Sequence, residues 1–212
     1  MQQPIGYNEG QPYKVCKLHR AIYGLKQAPR AWYHTLASTL RTLGFRHTTS
    51  DVALFTTKTN NSDVTYMLIY VDDIIVTGFN SMAIDSLIKQ LNCIFSLKDL
   101  GLFHFFLGLE AHYLPYQTLL LTQTKYAKDL IHRAGMGNSN PMPTPMMTSL
   151  KLRKSDSNPY EDPKGYRSIV GALQYLTITQ LDLAFAVNKV SQFMHSPTIN
   201  HWKAVKWILR YL

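Results

Sequence analysis

Residues 64–77 read Val-Thr-Tyr-Met-Leu-Ile-Tyr-Val-Asp-Asp-Ile-Ile-Val-Thr, and no other stretch limits the fold as much. Two apolar, β-branched runs flank one adjacent pair of carboxylates, Asp72 and Asp73. Residues of this kind favour strands. Neither run has a helical stripe or the length of a bilayer span. The pattern predicts a buried strand, a tight turn and a second buried strand, with both acids at the turn. Two like charges in apolar surroundings are costly unless a cation binds them. Carboxylate oxygens without neighbouring His or Cys suit Mg²⁺ rather than zinc.

Charge narrows the partners. The 212 residues carry a formal net charge of +9, which favours a polyanion, either nucleic acid or an anionic membrane face. Residues 1–50 hold seven Lys or Arg against one acid, Glu9, with Tyr13, Tyr23, Trp32 and Tyr33 interleaved. That mixture suits backbone contact with base stacking, although Trp32 is expected to pack in the core. Cys16 and Cys93 have no paired spacing, so neither a zinc site nor a disulfide framework is expected, and a reduced intracellular compartment fits. The start lacks the basic and apolar regions of a signal peptide, and the apolar run at 66–71 is far too short to span a membrane. There is no repeat, phosphate loop or Gly-X-Ser-X-Gly motif.

The other elements follow from period and punctuation. Residues 1–13 are turn-rich and 15–23 suit an extended segment. Pro29 in a first turn, then Trp32, Leu36, Leu40 and Leu43, predict a helix over 29–43 stopped by Gly44. Lys26, Gln27 and Arg30 at its start, with the free N–H groups, read either as an anion site or, taken alone, as the solvated basic end of a surface helix. A loop and short strand over 45–55 and a turn at 60–63 feed the central hairpin. Asn80 caps a helix over 81–93. A turn and strand follow within 95–110, then a short strand at 119–121 across a turn at 115–118. His104 and His112, without evident partners, are read as structural or solvated. A helix is expected over 122–135. Residues 138–165 carry five of the ten prolines and read as a linker or a long connection. Asp162-Pro163 caps a helix with Tyr166, Ile169, Val170, Leu173 and Leu176 inward. Thr179 and Asp182 have capping-box spacing for a helix bearing Leu183, Ala186, Val187 and Val190. Asp182 is therefore a helix-start acid. Thr198 opens a last helix with Trp202, Val205, Leu209 and Leu212.

Several of these stretches resemble one family. Tyr70-Val71-Asp72-Asp73 resembles the Tyr-X-Asp-Asp box of reverse transcriptases. Tyr-Gly-Leu-Lys-Gln-Ala-Pro-Arg-Ala-Trp-Tyr at 23–33 is similar to the block preceding that box in copia-type long-terminal-repeat retrotransposons, and eleven residues are far more specific than four. Phe106-Leu107-Gly108-Leu109-Glu110 resembles the family's primer-grip hairpin. The Pro-Thr-Pro motif, Tyr-Arg-Ser-Ile-Val-Gly-Ala-Leu-Gln-Tyr-Leu at 166–176 and the closing 201–212 also match, so the resemblance covers essentially the whole chain.

The resemblance implies an α+β fold. A reverse-transcriptase palm, an antiparallel sheet with helices on one face, precedes a helical thumb or connection part, with the fingers largely missing. Its parts would be a partial palm with residual fingers at 1–113, the primer-grip hairpin end and a thumb helix at 114–140, a Pro-rich linker at 141–165, and the helical region at 166–212. It implies RNA-directed DNA polymerisation with two Mg²⁺ ions in the complete enzyme, an RNA or DNA template with primer, a dNTP, and the rest of a Pol polyprotein, without a membrane. Asp72 would be the direct metal ligand and Asp73 its support. Tyr70 and Val71 would underlie the primer terminus and nucleotide. Gln27 would lie beside the nucleotide, with Lys26 and Arg30 as phosphate contacts. Location would be intracellular, in a cytoplasmic particle. The family's third aspartate is expected upstream of Met1, since Asp51 reads as a loop residue and Asp63 as a turn residue. A fragment inactive alone is the corresponding expectation. The alternative is a non-catalytic retroelement relic that binds nucleic acid through its basic face.

Overall fold

The computed structural model describes residues 15, 17, 19, 22, 24–58, 63–147, 149–155 and 157–212. The expected turn-rich start lies outside the described residues, as do most of the extended segment at 15–23 and the turn at 60–62. The chain forms two compact units, Met1–Gly101 and Leu102–Leu212. It is a mixed α+β protein with two antiparallel sheets.

In the first unit, α1 (Ala28–Thr42) begins with Pro29 in its first turn and carries Leu36, Ala37 and Leu40 on its buried side. It ends as its sequence predicts. The Gly44 N–H donates to the Arg41 carbonyl and the Phe45 N–H to that of Leu40, with Gly44 at φ 87. That is a Schellman stop, in which only glycine takes positive φ without strain. Strands β1 (Arg46–His47), β2 (Leu54–Lys58), β3 (Val64–Tyr70) and β4 (Asp73–Gly78) form one sheet in sequence order, every pair antiparallel. Helix α2 (Ser81–Ile94) follows, and Asn80 Oδ1 accepts from the Ala83 N–H as the expected cap. Phe55, Met67 and Ile69 from one sheet face join Leu36, Leu40, Leu87 and Leu91 from the two helices in a single buried cluster. Each such side chain contributes ~1.5–3 kcal/mol by leaving water. The expected antiparallel sheet with helices packed on one face is therefore present in this unit.

In the second unit, β5 (Phe105–Phe106), β6 (Leu109–Leu114) and β7 (Thr118–Thr122) form a three-stranded antiparallel sheet. Residues 102–113, expected with the palm, cluster here with the later helices. Helices α3 (Thr124–Arg133), α4 (Pro163–Leu176), α5 (Ala184–Ser191) and α6 (Ile199–Tyr211) share one core. All five inward residues expected of α4 are buried, and Asp162 Oδ1 accepts from the Gly165 N–H as its cap. Tyr166 is fully buried, its hydroxyl donating to the Val190 carbonyl, and burial pushes its phenol up. The proline-rich stretch is a connection strapped onto α6 rather than a spacer. The Met142 N–H donates to the Arg210 carbonyl, Trp207 Nε1 to the Thr144 carbonyl, and Leu152 enters the core.

One expected cap is corrected. Thr179 does not open α5, because its hydroxyl donates to Gln123 Oε1 at 2.8 Å. A short 3-10 turn, Leu181–Leu183, leads into the helix instead, with Asp182 in that turn and no side-chain cap. The buried face over Leu183, Ala186, Val187 and Val190 is nevertheless as expected. Among the described residues no helix is long and apolar enough to cross a membrane.

Thr198 does cap α6, and the returning partner is a histidine. His201 is fully buried, Nδ1 accepting from the Thr198 N–H at 2.9 Å and Nε2 facing the Arg153 carbonyl at 3.0 Å. His201→Ala removes both partners at once. It is expected to lower the unfolding free energy by about 1–3 kcal/mol in urea titrations followed by Trp202 and Trp207 fluorescence, with His201→Gln recovering part of the loss.

Candidate active site

The tip of the β3–β4 hairpin is set by register. Tyr70 pairs with Asp73, leaving Val71 and Asp72 as a two-residue loop. Alternation sends Thr65, Met67 and Ile69 to the buried face, and pairing extends that face through Ile74 and Val76. Asp73 therefore lies on the opposite face with Tyr70. Both carboxylates are exposed, as are Tyr70 and Val71. The two acids at the turn are where the sequence pattern puts them.

Val71 has φ 53. A positive φ at the first loop position alone is the sign pattern of a type II′ hairpin turn, where glycine is usual. A β-branched residue there is strained by ~1–3 kcal/mol. The turn is tied down from α1, for Trp32 Nε1 donates to the Val71 carbonyl at 2.9 Å. The indole also packs edge-on against Phe95, ring centroids 5.2 Å apart. Trp32 thus packs against the core, as expected, and also holds the hairpin tip, which the sequence reading missed. The available signal was an indole N–H needing a partner in a half-buried position.

The same bond ties the second turn of α1 to the tip. Lys26, Gln27 and Arg30, at the start of that helix, are all exposed. Gln27 occupies the N-cap without a side-chain hydrogen bond, and the first turn has no acid. Such a helix start favours anions. Arg30 Nε contacts His34 Nε2 one turn on, at 3.5 Å.

Residues 106–110 belong to the second unit. Leu107 (φ 51) and Gly108 (φ 85) make a two-residue turn between β5 and β6, with Phe106 buried before it. The Tyr175 hydroxyl donates to the Leu107 carbonyl. A Cβ on Gly108 would meet Tyr126 at 3.3 Å and Tyr175 at 3.6 Å, so neither space nor backbone favours another residue. Leu109 is half-buried, and Glu110 Oε1 accepts from the Lys125 N–H at 2.7 Å at the start of α3. His112 is partnered after all, 3.1 Å from Thr122 Oγ1 and 3.7 Å from Glu110 Oε2. His104 lies edge-on to Tyr113.

Among the described residues, no group of three or more His, Cys, Asp or Glu comes together. Asp51 Oδ1 accepts from the Ala53 N–H inside its loop, and Asp182 Oδ2 accepts from the Tyr211 hydroxyl. Asp72 and Asp73 stand as a pair.

Residues 1–148 match the family described as reverse transcriptase (RNA-dependent DNA polymerase). The whole chain is 47% identical to the retrovirus-related Pol polyprotein from transposon RE2 of Arabidopsis thaliana, over 14% of that protein's length. It is 46% identical to that from transposon RE1 of the same plant, again over 14% of its length. For transposon TNT 1-94 of Nicotiana tabacum the identity is 37%, with the whole chain and 17% of the relative covered. The chain thus spans about one seventh of the first two relatives. No solved structure matches it.

The tip geometry separates strain from packing. Val71→Gly relieves the positive φ at an exposed residue and is expected to be neutral or stabilising by up to ~1 kcal/mol. Ile69→Ala, two residues away in the core, should cost ~2–5 kcal/mol. Trp32→Phe keeps the ring and loses the N–H, costing ~0.5–1.5 kcal/mol. Equilibrium urea unfolding of the three variants, followed by circular dichroism, checks the order.

Proposed function

The chain belongs to the reverse transcriptase family of copia-type retrotransposon Pol polyproteins, and from that premise we propose that it is a palm-and-thumb portion of an RNA-directed DNA polymerase. Its first unit is the palm with residual fingers, and the second is the primer-grip hairpin with the helical thumb or connection part. The observation that carries this reading is the Asp72–Asp73 pair, exposed at the tip of a hairpin whose other face is core.

Two exposed carboxylates offering only oxygen donors fit Mg²⁺, which keeps several of its waters. When bound, such ions lower the charge barrier of nucleotidyl transfer by stabilising the attacking and leaving oxygens. The reaction joins a primer 3′-oxygen to the α-phosphorus of a dNTP, breaks the bond to pyrophosphate, and releases the hydroxyl proton. Asp72 would be the direct ligand of such an ion and Asp73 its support. Tyr70 and Val71 form the floor under the primer end and nucleotide, and Trp32 keeps that floor in place through the Val71 carbonyl. Gln27 lies beside the nucleotide, and Lys26 and Arg30 take phosphates at the start of α1. Residues 106–110 hold the primer end. Template, primer and the remaining Pol polyprotein are the partners.

A second reading, nucleic-acid binding without catalysis, is favoured by one observation. The pair gains no third carboxylate among the described residues, and two carboxylates alone would hold two such ions poorly. Primer extension decides between them. The 212 residues alone are expected to give none with Mg²⁺ and nucleotides. Supplying the preceding segment of a related element should restore synthesis, and Asp72→Asn should abolish the restored activity. Failure to restore it with a folded chain leaves the second reading standing. Asp72-dependent synthesis by the 212 residues alone would show that another of their acids completes the site.

A further inference from the structure

Strand β7 reads Thr-Leu-Leu-Leu-Thr and forms one edge of the second unit's sheet, whose strand order is β5-β6-β7. Strand β6 pairs along one side of it, and among the described residues no strand pairs along the other. A row of outward N–H and C=O groups is thereby left for a further strand. Leu119 and Leu121 lie on one face of β7 and Leu120 on the other. The three are 48%, 40% and 46% exposed respectively, so neither face of this strand is covered.

Edges of this kind are normally blunted by lysine, proline or a bulge. This one has none of the three. No charged residue stands between Tyr113 and Thr124, β7 contains no proline, and its pairing with β6 runs without a skip from Glu110–Thr122 to Leu114–Thr118. In a chain of net charge +9, such a stretch lets two copies meet without repulsion between facing side chains. The sequence also selects the partner, because Thr-Leu-Leu-Leu-Thr is a palindrome about Leu120. Antiparallel pairing of two copies about that residue sets Thr118 opposite Thr122, Leu119 opposite Leu121 and Leu120 opposite itself. Opposed side chains share a face, so leucine meets leucine on both faces and threonine meets threonine at both ends.

We propose that the free edge of β7 pairs with the same edge of a second copy of this chain. The pairing joins two three-stranded sheets into one six-stranded antiparallel sheet, with a two-fold axis at Leu120. Two five-residue strands bury less than the roughly 1,200 Å² of a standard stable interface, so the dimer is a weak one that forms at high local concentration. An extended segment of a different protein fits the edge less well. It would gain the same main-chain bonds, but only a second copy matches both leucine faces and both threonine ends in one register. The inference goes beyond the polymerase reading and uses none of the residues placed at the carboxylate pair.

The test is sedimentation equilibrium of the full chain, freed of nucleic acid, from low to high micromolar concentration. The mass is expected to rise from one chain toward two and no further. Leu120→Lys sets like charges opposite each other at the axis and should raise the dissociation constant about tenfold or more. Leu181→Lys adds the same charge at an exposed residue of the same unit outside β7 and should leave the constant unchanged. Circular dichroism checks that both variants fold. Register is read by cross-linking, with the chain's two cysteines, Cys16 and Cys93, replaced by serine. A short bifunctional thiol reagent should couple Leu120→Cys to its own copy, and Leu119→Cys to Leu121→Cys when the two are mixed, across Cβ separations of about 4.5–5.5 Å. Leu119→Cys alone, about 7–8 Å from its own copy, should couple far more slowly. A monomer at every concentration overturns the proposal and leaves the edge to a strand from elsewhere. Equal effects of the two lysine variants overturn it as an effect of net charge, equal coupling of all the cysteine variants as collision, and growth past the dimer as aggregation. Asp72→Asn should dimerise as the wild type does, so failure of the polymerase reading and failure of this one are told apart.

Discussion

The pairing of Tyr70 with Asp73 sets the first unit. In that register Met67 faces Val76 and Ile69 faces Ile74, all four on the side covered by α1 and α2. A slip of one residue would turn every side chain of the slipping strand to the other face. Were β4 the strand to slip, the core would lose Ile74 and Val76, and Asp73 would move into it, where an unpaired carboxylate is very costly. Burying the apolar face and exposing the acids are therefore one condition. The Trp32–Val71 hydrogen bond adds a third element, because the residue that ties the tip also packs against Phe95 at the end of α2.

The second unit depends on a different device. Its helices share a core, but α6 is also bound along its length by a segment with almost no regular structure. Contacts run from Asn140, Met142 and Thr144 at one end of that segment to Arg153 and Asn158 at the other. Proline suits such a strap. It carries no N–H to satisfy and has less conformational entropy to lose on ordering. The carbonyls that remain are taken up by Trp207, Arg210 and His201. Arg210 thus serves both the strap and the basic face of α6.

Much of this was legible in the sequence because its signals are local. Strand alternation around Asp72 and Asp73, Pro29 with Gly44, Asn80, and Asp162 with Thr198 each specify an element within a few residues, and each stands where expected. What escaped the sequence is long-range. Trp32 meets Val71 across 39 positions, and Tyr175 meets Leu107 across 68. Thr179 had the right spacing for a cap but found Gln123, 56 positions away, a better partner. The cations of α6 could be read at helical spacing, but not that the 136–140 turn lies against them. The roles proposed for Gln27, Lys26 and Arg30 rest on family resemblance, and the structure adds that all three are exposed at the head of α1.

The two hairpin tips show how stability and use can diverge. At Leu107–Gly108 the second loop residue sits against Tyr126 and Tyr175, and glycine is what both the backbone and the space require. At Val71 the backbone is also left-handed, yet the side chain is 47% exposed and buries little in return. Stability alone favours glycine there, since removing the Cβ relieves strain and forfeits little packing. Strain of this kind persists where the surrounding structure over-determines it, as the register on either side and the indole above the carbonyl do here. On the polymerase reading the valine has a reason to stay. A rigid apolar surface next to the carboxylates is what a primer end or nucleotide would rest on, and a glycine in its place would leave the turn relaxed and the floor missing.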